Sequence, residues 1–252
     1  MIVAFMGNIG SGKTTLINKI AEELKRFDIP YRIESESYDK NPFAKLYYKD
    51  PKKWAFHFQL FVLKERIKAS NAYDYGETIV LQDRCYEEDF NVFVFQHFYC
   101  GNISKDEYSL LSELKQQAGI RQPKRTYWLQ TKPEECLANI KTRGREEEAG
   151  IDLQYLQKIN ERYEFNLAYT AQKITNSVNL RSLIVSLYGY YYQKEFGAHT
   201  SSAIPLELQE QVAETVIGIK EEMLSGRMTR AEANSAIEKY KQHIEAKHKN
   251  GY

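Results

Sequence analysis

From Ile2 to Met6 every position is apolar, which predicts a strand covered on both faces, since a strand wetted on one side alternates apolar with polar. Thr15 to Phe27 then repeats its apolar residues at helical spacing. Ile29 to Glu34 alternates and is rich in β-branched and aromatic residues, predicting a second strand; Thr78 to Gln82 and Arg125 to Leu129 predict a third and a fourth. Between them, Lys52 to Ala72 reads as a long helix with apolar contacts from Trp54, Phe58, Phe61 and Ile67. Glu87 to Tyr99 and Asp106 to Gln117 also read as helices, and Pro133 opens another that carries Leu137 and Ile140. Strands alternating with helices imply an α/β fold, a parallel sheet between two helical layers. Right-handed crossovers then bring the C-terminal ends of the strands, where ligands bind, to one edge.

The last third has a different texture. Tyr188 to Tyr192 is dense in tyrosine, His199 to Ala203 is small and polar like a linker, and Pro205 to Leu224 and Thr229 to Lys247 are helically periodic. Gly226 marks a stop and Thr229 with Glu232 fits a capping box, so the tail reads as two antiparallel helices. The expected division is a first domain over 1–198 and a helical extension over 199–252.

Composition narrows the classes. A chain of 252 residues can bury a full core. Its 35 Lys and Arg nearly cancel 34 Asp and Glu, so no global field favours nucleic acid or a membrane surface. Three scattered cysteines, Cys85, Cys100 and Cys136, suit neither a disulfide framework nor a metal cage. With the first strand starting at residue 2 and no apolar run long enough to span a bilayer, the expectation is a cytoplasmic protein.

The chemistry begins between the first strand and the first helix. Residues 7–14 read GNIGSGKT, fitting the phosphate-binding pattern G-x-x-x-x-G-K-[ST] at each fixed position. Gly7, Gly10 and Gly12 let the backbone, with Asn8 and Ser11, curl its N–H groups toward a phosphate at the positive end of the helix that Lys13, Thr14 and Thr15 open. Lys13 would reach the outer phosphates and the Thr14 hydroxyl would ligate magnesium. A chance match in a glycine-rich turn is the alternative, and the flanking strand and helix argue against it.

Other candidates are weaker one by one. Glu34 and Glu36 end the second strand, where a carboxylate could take the proton of an attacking hydroxyl; either could equally be a solvated loop residue. Gln59 and Arg66 share one helical stripe in an apolar stretch. A buried glutamine needs partners for its carbonyl and its amide, which a nucleobase edge supplies, unless both residues face water. Gln82-Asp83-Arg84 ends the third strand, with Asp83 suited to a magnesium shell and Arg84 to a phosphate clamp, or the two to a structural ion pair. Asp89 lies where it could meet Arg66. Arg143 and Arg145 flank Gly144, a spacing that could close two guanidinium groups over a transferring phosphoryl, although charge runs are usually solvated faces.

Taken together, GNIGSGKT, the ESYDKNPF run from Glu36, Tyr48 followed by Asp50-Pro51 and Trp54, FQLFVLKER, Gln82-Asp83-Arg84, and RGREEE with Tyr155-Leu156 and Tyr163 closely resemble the deoxynucleoside kinase family over residues 2 to about 165. The NPF and YxDPxxWAF portions look most like its bacterial-type deoxyadenosine and deoxyguanosine kinases. The resemblance implies a P-loop fold, ATP as phosphate donor, Mg2+, and a homodimer. It implies Glu36 as general base with Glu34 as fallback, Gln59 reading the base edge, and Arg66 with Asp89 setting a purine or cytosine preference. Phe93 would stack on the base, Tyr48 and Glu148 hold the 3′-hydroxyl, Arg84 stand beside the reacting 5′ oxygen, and Arg143 and Arg145 lie in the lid. Cys85 replaces the family's usual serine, and Asn139 stands where many members carry another lid arginine. Beyond Tyr163 no run reads as a clear fifth strand, and Leu183 to Leu187 is a poor candidate for it.

These readings converge on an ATP- and magnesium-dependent deoxynucleoside kinase with five parallel strands in the order 2-3-1-4-5. Two rivals stand beside it: a nucleoside monophosphate kinase, which needs a further cationic site for its acceptor, and a kinase-like subunit with a structural or binding role.

Overall fold

The computed structural model describes residues 1–71, 78–167, 170–197 and 206–249. Strand β1 (Ile2–Met6) lies at the centre of a parallel sheet ordered β2-β3-β1-β4-β5, as expected. Its neighbours are β2 (Tyr31–Glu34), β3 (Ile79–Asp83), β4 (Arg125–Leu129) and β5 (Gln172–Ile174). All five residues of β1 and all five of β3 are buried, which is why Ile2–Met6 and the first three residues of β3 are apolar without a break. The register pairs Phe5 with Tyr127 and Met6 with Trp128. Successive side chains point to opposite faces. Phe5 and Tyr127 stack with ring centroids 5.6 Å apart, whereas Met6 and Trp128 join the core cluster of Ile159 and Tyr163.

Helix α1 (Lys13–Arg26) buries Leu16, Ile17, Ile20, Ala21 and Leu24, one stripe of its surface. After a short turn at Ser37–Lys40 come α2 (Ala44–Lys49) and α3 (Pro51–Asn71); Pro51 opens α3, where a missing N–H costs nothing. The expected helix over 87–99 runs as α4 (Tyr86–Glu88), a widened π-helical turn (Asp89–Val94) and α5 (Phe95–Tyr99). Then follow α6 (Lys105–Gln117), opened by a Ser104–Glu107 capping box, α7 (Pro133–Arg143) and α8 (Leu153–Asn166).

The sequence expectation misses at β5. That strand has three residues, Gln172, Lys173 and Ile174, of which only Ile174 is buried. An edge strand this short and polar carries no periodic signal. Leu183–Leu187 instead lies within helix α9 (Leu180–Gly197).

The chain divides into two compact units, Met1–Ala21 with Tyr31–Val178, and Glu22–Pro30 with Asn179–Tyr252. The first holds the sheet and the phosphate-binding loop. The division falls before α9, so this helix groups with the tail and not with the sheet. The second unit continues with α10 (Leu206–Leu224) and α11 (Arg230–Lys249), and buries Ile184, Leu187, Ala213, Val216 and Ile217. Gly226 adopts φ 75° at the turn between α10 and α11. The Glu232 carboxylate accepts from the Thr229 N–H at 2.8 Å while the Thr229 hydroxyl accepts from the Glu232 N–H at 3.3 Å, completing the expected capping box. Tyr188 is buried, and the linker expected over His199–Ala203 lies outside the described residues. Among the described residues, no helix is long and apolar enough to cross a membrane.

Trp128 is 1 % exposed and stacks on Tyr163 at 5.6 Å between centroids. Trp128→Ala is expected to cost about 3–5 kcal/mol of unfolding free energy through the cavity it leaves, measured by urea denaturation.

Candidate active site

The loop after β1 is built by positive-φ glycines. Gly10 sits at φ +75°, and a Cβ there would lie 2.5 Å from the Cys136 carbonyl oxygen of α7; only glycine lets that helix approach the loop so closely. The loop is tied from outside as well. Thr131 donates to the Ser11 carbonyl at 2.9 Å, Asn139 to the Gly10 carbonyl at 2.8 Å, and Asn8 to the Leu156 carbonyl at 2.8 Å. Asn139, expected among the lid residues, therefore holds the loop backbone. Lys13 folds back, its Nζ donating to the carbonyls of Gly7 (2.9 Å) and Asn8 (3.0 Å). Burial, and next the nearby Arg84 guanidinium, lower its pKa. Thr15 is exposed and takes no part in the cavity wall.

Beside this loop opens a cavity of about 240 Å³, lined at one end by Gly10, Lys13, Thr14 and Arg84 and at the other by Gln59, Val62, Asp89 and Phe93. Glu36, Tyr48, Arg143, Arg145 and Glu148 also line it. Residues expected from three strand ends and two helices thus meet around one space.

At the phosphate end, Thr14 Oγ1 donates to Asp83 Oδ2 at 2.8 Å, and Asp83 Oδ1 is buried without a hydrogen-bond partner. An orphaned carboxylate oxygen beside a hydroxyl is the hard donor set that Mg2+ prefers, so these residues fit that ion. Arg84 follows at φ 62°, unusual for a residue with a Cβ. Its Nη1 donates to the Gly7 carbonyl (2.9 Å), to Glu88 Oε1 (2.7 Å) and to the Tyr163 hydroxyl (3.1 Å), while Nε faces Glu36 Oε1 at 3.2 Å. The guanidinium also lies over the Phe93 ring, 4.7 Å from its centroid.

Glu36 and Glu34 separate clearly. Glu34 accepts from Arg32 (2.8 Å) and from Gln82 (3.0 Å), a structural pairing at the strand end. Glu36 lines the cavity. Burial pushes its pKa up, but the positive charges of Arg84, Lys13 and Arg66 outweigh burial and hold it below the usual carboxylate value.

At the far end, Gln59 is 4 % exposed, and its amide has no hydrogen-bond partner among the described residues. Arg66 is buried, donating from Nε to Asp89 Oδ2 at 2.8 Å and from Nη2 to the Asp83 carbonyl at 3.2 Å. Asp89 lines the cavity while Arg66 stands behind it. Burial raises the Asp89 pKa against the opposing charge of Arg66. The segment expected to form the lid pairs within itself: Gly144 ends α7 in the left-handed conformation, and Arg143 and Arg145 (3.4 Å) both pair with the buried Glu148.

Several residues of the wall escaped the sequence. Tyr47 and Tyr155 line the cavity, and Tyr47 bonds at 2.8 Å to His97, whose pKa burial lowers to about 4. Glu88 was masked by the acidic run Glu87-Glu88-Asp89, although its i,i+4 spacing from Arg84 was a usable signal. Cys85 donates to Met6 Sδ at 3.5 Å, and burial pushes its thiol up to about 12.

Comparison with known proteins agrees with this geometry. A family model described as deoxynucleoside kinase matches residues 3–186. A Bacillus subtilis protein named deoxyadenosine/deoxycytidine kinase is 30% identical over 167 residues, covering 65% of this chain and 75% of its own length. A Dictyostelium discoideum deoxyadenosine kinase is 32% identical over 163 residues, 64% of each chain, so the match spans less than two thirds of that relative. Among solved structures, deoxyadenosine kinase from M. mycoides with bound dATP superposes with a TM-score of 0.59 at 27% identity, covering 71% of this chain and 91% of its own.

Gly10→Ala adds strain of about 1–3 kcal/mol from the left-handed backbone alone, plus the collision with Cys136. Triphosphate affinity is expected to fall about tenfold or more, read by calorimetric titration with a non-hydrolysable analogue.

Proposed function

The chain belongs to the deoxynucleoside kinase family, and we propose that it transfers the γ-phosphoryl of ATP to the 5′-hydroxyl of a purine deoxynucleoside or deoxycytidine, in preference to thymidine. The observation that carries this reading is Gln59, buried as a residue, which lines the same cavity as Lys13 and whose amide makes no hydrogen bond to another described residue. An amide open to the cavity with no protein partner is free to pair its donor and acceptor with the edge of a base. The Arg66–Asp89 pair beside it offers a carboxylate to an exocyclic amino group, which adenine and cytosine carry and thymine lacks. The Bacillus subtilis relative is named for deoxyadenosine and deoxycytidine, in keeping with that preference.

In this reading Phe93 stacks on the base, and Tyr48 and Glu148 hold the 3′-hydroxyl. Glu36, kept deprotonated by its cationic neighbours, accepts the 5′-hydroxyl proton. Lys13 leaves its two backbone carbonyls for the outer phosphates. Arg84, Arg143 and Arg145 offset the charge of the transferring group. Thr14 and Asp83 would hold Mg2+, which when bound neutralises charge on the phosphate oxygens. Catalysis then rests on positioning and electrostatics. The proposal extends to a homodimer acting in the cytoplasm, with the exposed rings of Tyr99 and Phe165 as candidate contact residues.

The rivals fare worse. A monophosphate acceptor needs a further cation free beside the acceptor site, but Arg66 is paired with Asp89, and Arg143 and Arg145 are paired with Glu148. A purely structural role requires none of these charges.

A turnover assay of the full chain with ATP against a panel of deoxynucleosides tests the reading, and phosphorylation confined to nucleoside monophosphates would reject it. Glu36→Gln is expected to retain nucleoside binding and lose about 10²-fold or more of turnover. In the wild type the base form of Glu36 persists above its depressed pKa. Turnover should therefore hold as pH falls until below the ordinary carboxylate range, and then decline. Gln59→Ala should raise KM for the nucleoside by about tenfold with a smaller change in kcat; an unchanged KM removes Gln59 from the pocket.

A further inference from the structure

The proposed mechanism leaves one buried charge unused. Glu88 is 0 % exposed and lies a full turn beyond Arg84. Its Oε1 accepts from the Gly7 N–H at 3.0 Å, from Arg84 Nη1 at 2.7 Å and from the Tyr163 hydroxyl, while Oε2 has no partner. Burying a carboxylate this completely is expensive and is repaid only by such donors. Arg84 Nη1 also donates to the carbonyl of the same Gly7. The first residue of the phosphate-binding loop is therefore held by one ion pair through both its N–H and its carbonyl.

We propose that Glu88 is a positioning residue, which anchors Nη1 of the Arg84 guanidinium to the phosphate-binding loop and so sets how its Nε faces Glu36 across their ion pair. The proposal rests on the kinase reading above. Arg84 stands between two carboxylates, the buried Glu88 and the partly exposed Glu36. With Glu88 present, the rear edge of the guanidinium is occupied and its plane is fixed by the Phe93 ring. Without it, Glu36 becomes the sole carboxylate partner, and a fork of donors can close on both its oxygens. A base held in that fork is a poorer proton acceptor and is turned away from the sugar hydroxyl. Three cations face Glu36 from separate elements: Lys13 from α1, Arg66 from α3 and Arg84 from the end of β3. Removing the negative charge of Glu88 leaves their field less compensated and moves proton loss from Glu36 to lower pH.

The test is steady-state kinetics of Glu88→Gln and Glu88→Asp in the full chain, with melting curves as a folding check. Glu88→Gln should lower kcat by about tenfold or more, with nucleoside KM changed by less than about threefold. The acid limb of kcat should move to lower pH. Glu88→Asp retains the charge but is too short to reach Gly7 and Arg84 together. It should keep the acid limb at the wild-type position while lowering kcat, and it carries the test if Glu88→Gln does not fold. A purely structural role predicts a lower melting temperature with kcat and its acid limb unmoved, and that result overturns the proposal. So does KM rising in step with the fall in kcat. A wild-type chain that phosphorylates no deoxynucleoside overturns the function itself.

Discussion

A guanidinium buried to 4 % exposure cannot lose its proton, so everything around Arg84 has to accommodate a permanent positive charge. Two carboxylates, a glycine carbonyl, a tyrosine hydroxyl and the face of Phe93 do so. Those five groups come from the loop after β1, the turn after β2, the helix after β3 and helix α8. Satisfying one cation therefore forces four chain segments into register at the edge of the sheet. The parallel pairing of β1 with β3, Phe5 opposite Asp83, delivers Arg84 to the loop, and the left-handed backbone at Arg84 turns its side chain inward. Strain of this kind persists only where the surroundings over-determine it.

The same charge orders the cavity along its length. Lys13 and Arg84 make one end suited to a polyanion, and Gln59, Val62 and Phe93 make the other suited to a flat, neutral ring with hydrogen-bonding edges. Glu36 stands between them, ionised by the cations on one side and within reach of whatever lies on the other. A carboxylate whose proton affinity is held down by its neighbours is a weak base in isolation. It suits phosphoryl transfer, where proton removal accompanies a transition state governed mainly by the phosphate charge.

Much of this was legible in the chain. Buried stretches left apolar runs, five residues in β1 and three in each of β3 and β4, so these strands were found nearly to the residue. The phosphate-binding loop was legible because glycine at positive φ has no substitute there. Gln59 stood out as a polar intrusion in an apolar helix. What was illegible has a common cause. β5 is three residues at an edge, with two of them exposed, and periodicity needs length and burial. Tyr47 acts through His97 and Tyr155, 50 and 108 positions away, and Glu88 through Gly7 and Tyr163, 81 and 75 positions away, so beyond the spacing of Glu88 from Arg84 no local pattern records them. The widened turn at Asp89–Val94 is likewise set by packing around it and not by its own composition.

Helix α7 shows how an uncharged side chain can serve alignment in place of charge. Asn139 cannot offer a positive charge to a phosphate, yet its amide donates to the Gly10 carbonyl, at the glycine where α7 meets the loop most closely. The lid helix is thereby fastened at that point. Its two arginines project from the turn beyond, where Gly144 reverses the chain. Both are gathered onto the buried carboxylate of Glu148, and Arg145 also rests over the Tyr38 ring at 5.1 Å. The tip thus carries the positive charge, and the root of the helix aligns the loop. In the proposed reading, a sugar hydroxyl at Glu148 would meet the same carboxylate that restrains the two guanidinium groups. Acceptor recognition and the supply of positive charge to the phosphoryl group would then share one residue.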